Sequence, residues 1–158
     1  MLTQAVGYAG TALAYIAAAG GKTVLIKDIA KAADIPGPYL AKIVQVLSRK
    51  GLVNTQRGVG GGVVLAKAAQ EITMHEVCVA LDDPVVRERC MLGTAECSDE
   101  RACPCHHFWV RHRAEYQDFL RKTTVADIAA FEVRRRWKGA GKSGGAGGKQ
   151  GSDATLGS

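Results

Sequence analysis

Four of the five cysteines in this 158-residue chain, Cys90, Cys97, Cys103 and Cys105, fall within sixteen residues. Thiolates are soft metal ligands and also the nucleophiles of disulfide exchange, so such a concentration points to metal binding or redox chemistry. An odd total fits a set of structural disulfides poorly, and such sets are rare in reducing compartments. Cys90, Cys97 and Cys103 are separated by six and then five residues, and His106 follows the third at the spacing Cys-x-x-His. A loop with that spacing can wrap three thiolates and an imidazole around an iron-sulfur core. The same donors can close a tetrahedral zinc site, and without metal they remain reactive thiols. Cys105 competes with His106 for the fourth position, because neighbours on a helical turn point about 100° apart and only one readily meets a centre held by Cys103. His107 and His112 read as exposed helix residues. Cys78 lies on the apolar face of a short helix and reads as a buried, inert thiol.

The elements that must position this loop follow from hydrophobic spacing. Leu2, Val6, Ala9, Leu13, Ile16 and Ala17 predict a first helix, stopped by Gly20 and Gly21. A second helix runs from Leu25 to Ala33 with Ile29 and Ala33 inward, and Asp34-Ile35-Pro36-Gly37 breaks it. Pro38 opens a third, where its missing N–H costs nothing, and Gly51 ends it. Leu40, Ile43, Val44 and Leu47 face inward; Tyr39, Lys42, Gln45, Val46 and Arg49 face out. Leu52 to Gln56 and Val63 to Leu65 read as strands joined by Arg57-Gly58-Val59-Gly60-Gly61-Gly62, a glycine hairpin.

Thr73 and Glu76 have the spacing of a capping box for a helix carrying Met74, Val77, Cys78 and Leu81, ending before Asp82-Asp83-Pro84. Beyond the cysteines, Phe108 to Lys122 predicts a longer helix whose apolar stripe comprises Trp109, Tyr116, Phe119 and Leu120. The amino-terminal part is already too full to cover that stripe, which predicts pairing with a second copy. Thr124 and Asp127 cap a short last helix carrying Val125, Ile128 and Phe131. The expected fold is mainly α with a small β-wing: a winged helix-turn-helix unit over 1–83, a cysteine loop over 84–107, a dimerisation helix and short helix over 108–137, and a disordered Gly/Ser/Lys tail over 138–158.

Lys and Arg outnumber Asp and Glu by 21 to 15, a formal charge of +6 that suits a polyanionic partner. The apolar stretch from Ala9 to Ala19 is too short to span a bilayer and lacks the flanks of a signal peptide, so a cytoplasmic protein with no membrane partner is expected. Two short helices joined by a tight turn, the second presenting Tyr39, Lys42, Gln45 and Arg49, form a major-groove reader. A wing bearing Arg57 directly after it can reach phosphates or a minor groove. A trihelical core with an ordinary glycine loop has the same pattern without the function.

Lys27-Asp28-Ile29-Ala30, Tyr39-Leu40, Arg49-Lys50-Gly51-Leu52-Val53 and Arg57 to Gly62 together resemble the Rrf2 family of transcription regulators, and the resemblance continues through the cysteine loop to Phe131. It implies that the helix ending near Gly51 enters the major groove of double-stranded operator DNA and that Arg57 contacts the minor groove. Lys27, Pro38, Tyr39, Lys42, Gln45, Arg49, Arg57 and Gly58 are then the DNA-contacting candidates. It further implies a homodimer built on the helix after the cysteines and a roughly palindromic site. In iron-sulfur members three cysteines and one histidine hold a [2Fe-2S] cluster, which by match falls on Cys90, Cys97, Cys103 and His106, with the first gap one residue longer here. Some members have an acidic residue where this chain has Ala41, so their operator choice does not carry over. Others take a carboxylate ligand from the first helix just before a tyrosine matching Tyr8, and Gly7 excludes that here.

The expected function is therefore a non-enzymatic regulator, read as a repressor, whose operator binding answers to redox state, iron-sulfur status or nitric oxide. The competing readings are a cluster-free thiol regulator, a thiol-redox protein and a zinc-stabilised module. A thiol-redox enzyme would ordinarily show Cys-x-x-Cys beside a βαβ unit, which is absent from the sequence. A zinc module would leave the basic helix and glycine wing without a purpose.

Overall fold

The computed structural model describes residues 1–93, 96–101 and 103–137. Six α-helices and one hairpin make up the regular structure of the described residues: α1 (Gln4–Ala18), α2 (Ile26–Ala33), α3 (Gly37–Arg49), β1 (Val53–Gln56), β2 (Gly62–Leu65), α4 (Met74–Ala80), α5 (His106–Lys122) and α6 (Val125–Arg135). The expected tail over 138–158 lies outside the described residues.

The uncharged helix α1 is the centre of the core, with Val6, Ala9, Ala12 and Leu13 fully buried. Its first turn is tied down by Asp83, itself 1% exposed, whose Oδ2 accepts from both the backbone N–H and the hydroxyl of Thr3 at 2.8 Å. Helix α2 ends at Asp34, whose left-handed φ of 55° turns the chain into α3. β1 pairs antiparallel with β2 from Val53↔Leu65 to Gln56↔Gly62, and Val24 adds a bridge to Val63 on the other side. That third contact explains Gly62: a Cβ there would stand 2.6 Å from the Val24 carbonyl oxygen, so no larger residue fits without moving the wing.

Both capping boxes form, Thr73 with Glu76 and Thr124 with Asp127. Between them the chain makes a small ladder, Met74 N–H donating to Thr123 C=O and Val125 N–H to Ile72 C=O, each at 2.8 Å. This ladder closes α6 back onto α1, where Tyr15 and Trp137 meet edge to face with centroids 5.1 Å apart. Leu120, 2% exposed, and Val125, fully buried, thus belong to the same core as α1 to α4. The separation of 108–137 from the amino-terminal unit is not a separation of the core. Of the stripe assigned to a seam between copies, Leu120 is covered within its own chain and Tyr116 is half-buried against the core, while Phe119 remains 60% exposed. Phe108 is exposed on the same side of α5 as Phe119, and Val110 is exposed on the opposite side.

α5 begins at His106, two residues before the first apolar residue of its expected pattern. The buried face of α4 includes Cys78, fully buried, whose thiol is pushed up to about 12 by desolvation and then by the nearby Asp83. Because the unfolded chain ionises this thiol near its ordinary value of 9.0, the folded state's preference for the neutral form stabilises fully below that pH and is lost toward about 12. In native protein at pH 9, iodoacetamide should label the half-exposed loop cysteines and spare Cys78 until urea is added, as read by peptide mass spectrometry. Labelling of Cys78 at the rate of the loop thiols would contradict this packing.

Candidate functional site

The turn at Asp34 sets α2 against α3 so that α3 buries Leu40, Ile43, Val44 and Leu47 and turns its remaining face to solvent. On that face Pro38, Tyr39, Lys42, Gln45 and Arg49 are all exposed, as are Lys27 on α2 and Arg57 and Gly58 on the wing. Val46, expected outward, is half-buried. Tyr39 is propped edge-on by Tyr8 of α1, centroids 5.8 Å apart. Lys27 and Gly58 line one open groove of about 420 Å³ between α2 and the hairpin, so helix and wing offer a continuous surface. Thr23 holds the wing tip by donating its hydroxyl to the Gly60 carbonyl at 3.1 Å. Among the described residues, Lys27, Lys42, Arg49 and Arg57 form no ion pair. Four exposed cations with no ion-pair partner among the described residues suit a polyanionic ligand.

The second site is the loop between α4 and α5. Its entry is pinned to α5 by side chains donating to backbone carbonyls: Gln117 to Val85 at 2.7 Å and Trp109 to Arg89 at 2.8 Å. Its exit is the first turn of α5, where the His106 N–H donates to the Cys103 carbonyl at 2.9 Å and the Trp109 N–H to the Cys105 carbonyl at 2.9 Å. Between these ends Cys90, Cys97, Cys103 and His106 line a single cavity of about 120 Å³, together with Leu92, Glu96, Ser98 and Arg101. Cys105, the residue preceding α5, is not among its walls. His107 and His112 are exposed and stand outside it.

Within the cavity the donors form two close pairs. Cys90 and Cys103 sulfurs are 3.9 Å apart, and Cys97 sulfur is 3.2 Å from His106 Nδ1. With metal–sulfur bonds of about 2.3 Å and metal–nitrogen bonds of about 2.0 Å, two ligands on one tetrahedral ion stand roughly 3.8 Å apart for sulfur–sulfur and roughly 3.5 Å for sulfur–nitrogen. The Cys90–Cys103 separation is close to that sulfur–sulfur value, while Cys97 and His106 stand at hydrogen-bond distance. Among the described residues, no three His, Cys, Asp or Glu side chains gather as the ligands of one ion. The donors on this cavity, three thiols and an imidazole, are of the types that an iron-sulfur core or a zinc ion takes.

Sequence reasoning missed Asp99, whose Oδ1 lies 2.8 Å from His106 Nε2. No periodic signal marks it, because the contact joins an irregular loop to a helix start. No helix among the described residues is long and apolar enough to cross a membrane.

Residues 2–130 match the Rrf2 family, described as an iron-dependent transcriptional regulator. Over 128 residues the chain is 33% identical to the HTH-type transcriptional regulator IscR of Erwinia tasmaniensis, covering 80% of this chain and 77% of that one. Among solved structures it is similar to CymR, the global cysteine regulator of B. subtilis, with a TM-score of 0.69 and 25% identity over 83% of this chain and 97% of that one. T. potens IscR shares the fold, with a TM-score of 0.64 at 20% identity over 92% of this chain and 93% of the other. The exposed basic helix, the glycine wing and the match along nearly all the described residues lead to one conclusion: this chain belongs to the Rrf2 family of winged-helix transcription regulators, not to a family of enzymes.

Proposed function

We propose that the chain is a homodimeric DNA-binding regulator whose operator affinity is set by a [2Fe-2S] cluster held by Cys90, Cys97, Cys103 and His106. The observation that carries this reading is the arrangement of those four donors as two close pairs on one cavity that Cys105 does not line. Bound there, such a core supplies a one-electron couple and a sensitivity to oxygen, nitric oxide and iron supply. The protein's part is to gather the donors and to limit water. His106, 4% exposed, is held by the first turn of α5, and the loop's entry is held by Gln117 and Trp109. Without a bound group the loop would be held only at its ends, by Gln117, Trp109 and the first turn of α5, while Val77 and Cys78 of α4 and Leu120 of α5 remain packed in the hydrophobic core.

At the reading surface α3 enters the major groove, where Tyr39, Lys42, Gln45 and Arg49 meet base edges and phosphates, and Arg57 with Gly58 approaches the minor groove. Lys27 and Pro38 flank the groove from the helix ends. A second copy pairs along α5 through Phe108 and Phe119, which lie on one face of the helix, and two reading heads then require a roughly palindromic operator. A cluster-free regulator acting through thiols is the second reading. It is favoured by Cys90 and Cys103, whose sulfurs at 3.9 Å need little movement to reach a disulfide bond length of about 2.0 Å, and by the likeness to CymR.

Titrations against DNA from the chain's own promoter region test the reading surface. Arg57→Ala should weaken operator binding by about 1 to 3 kcal/mol, because an arginine in a narrow groove makes charge-assisted contacts. Lys42→Ala should lower affinity on every sequence and reduce the salt slope by about one unit per dimer half. Unchanged binding in both variants would remove this surface from the account.

The ligand set is tested by the visible spectrum of anaerobically purified variants. His106→Ala should bleach the chromophore or make it labile, and Cys105→Ala should leave it nearly intact. The reverse pattern would assign Cys105 as the fourth ligand.

A further inference from the structure

We infer that Asp99 is the positioning residue for His106, fixing the imidazole so that Nδ1 is the bare nitrogen offered to the cluster cavity. This rests on His106 being the fourth ligand, and it concerns a residue outside the ligand set. His106 is nearly buried and its two ring nitrogens have different neighbours: Nδ1 is 3.2 Å from Cys97 Sγ, and Nε2 is 2.8 Å from Asp99 Oδ1. A neutral imidazole carries one N–H, and an ionised carboxylate can only accept. The hydrogen therefore sits on Nε2 and is donated to Asp99, which leaves the Nδ1 lone pair directed at Cys97 and the cavity they share. A metal ligand needs that lone pair, and a carboxylate on the far nitrogen is the usual means of fixing it.

Asp99 is suited to this task by its place in the chain. It sits in the short turn Asp99–Arg101 that follows Cys97, so one stretch of loop brings both the sulfur and the carboxylate to the ring. Its own side chain is 98% exposed while the ring is 4% exposed, so the carboxylate closes the ring's outer edge at the surface. Because water competes at that edge, the expected effect is near the low end of the range for outer partners of metal ligands, about tenfold in metal retention.

The test uses two readouts, one of which needs no cluster. In cluster-free protein labelled with nitrogen-15 histidine, the ring resonances of His106 should report the Nε2–H tautomer. Asp99→Ala should convert this to a mixture, and Asp99→Glu should restore it at least in part. In cluster-loaded protein, Asp99→Ala should speed cluster loss to a chelator about tenfold, with Asp99→Glu again closer to the parent. A His106 tautomer unchanged by Asp99→Ala would overturn the assignment, as would equal rates of loss in all three proteins. A parent protein that never takes up a cluster would instead defeat the proposed function, and the tautomer measurement would still decide whether Asp99 orders the ring.

Discussion

The first turn of α5 is the constraint on which the cysteine loop depends. A loop with three half-exposed thiols has no reason to hold them together, since each gains by being solvated. What gives the loop a fixed wall is a helix that starts at His106, with its N–H on the Cys103 carbonyl, and that is anchored further along by Leu120 in the core. One hydrogen bond at the helix start thus joins the third cysteine to the histidine, and burial of Leu120 keeps the helix where the rest of the loop can reach it. Truncation of a buried leucine costs about 2 to 5 kcal/mol, several times the net worth of a single exposed hydrogen bond, so the core and not the loop determines where the donors meet.

The same core links the loop to the reading head. Asp83 stands where α4 gives way to the loop, and its carboxylate accepts from Thr3 N–H, Thr3 hydroxyl and Val85 N–H. One buried acid therefore fixes the start of α1 and the start of the loop together. Four residues into α1, Tyr8 supports Tyr39 on the exposed face of α3. The cysteine-lined cavity and the exposed face of α3 are thus joined to one packed core.

Much of this was legible in the sequence because it is local. The two capping boxes, the breaker at Asp34 and the glycine hairpin each declare themselves within a few residues, and the structure forms all of them. The exposed set on α3 and the wing follows from helical periodicity and the turn. α5 starts two residues before the apolar pattern, which begins only at Phe108, and Cys105 offers no side-chain cap to mark that start. The direction of the α5 stripe was legible only in part: periodicity marks Leu120, Tyr116 and Phe119 as apolar but does not say whether a neighbour in the same chain covers them. α6 folding back on α1 resolves this for Leu120, through a ladder between Ile72–Met74 and Thr123–Val125 that pattern does not foretell. Asp99 was invisible for the same reason, since an irregular loop brings it to His106.

We propose that the two donor pairs hold a binuclear iron-sulfur core on which DNA binding depends. The most direct test is to purify the protein without oxygen, count iron and acid-labile sulfide per chain, and measure operator affinity before and after controlled oxidation. The expected result is about two irons and two sulfides per chain, as the composition of a [2Fe-2S] cluster requires, and an affinity that changes when the chromophore is lost. A colourless protein carrying one zinc per chain or no metal, with operator affinity indifferent to oxidation, would contradict it.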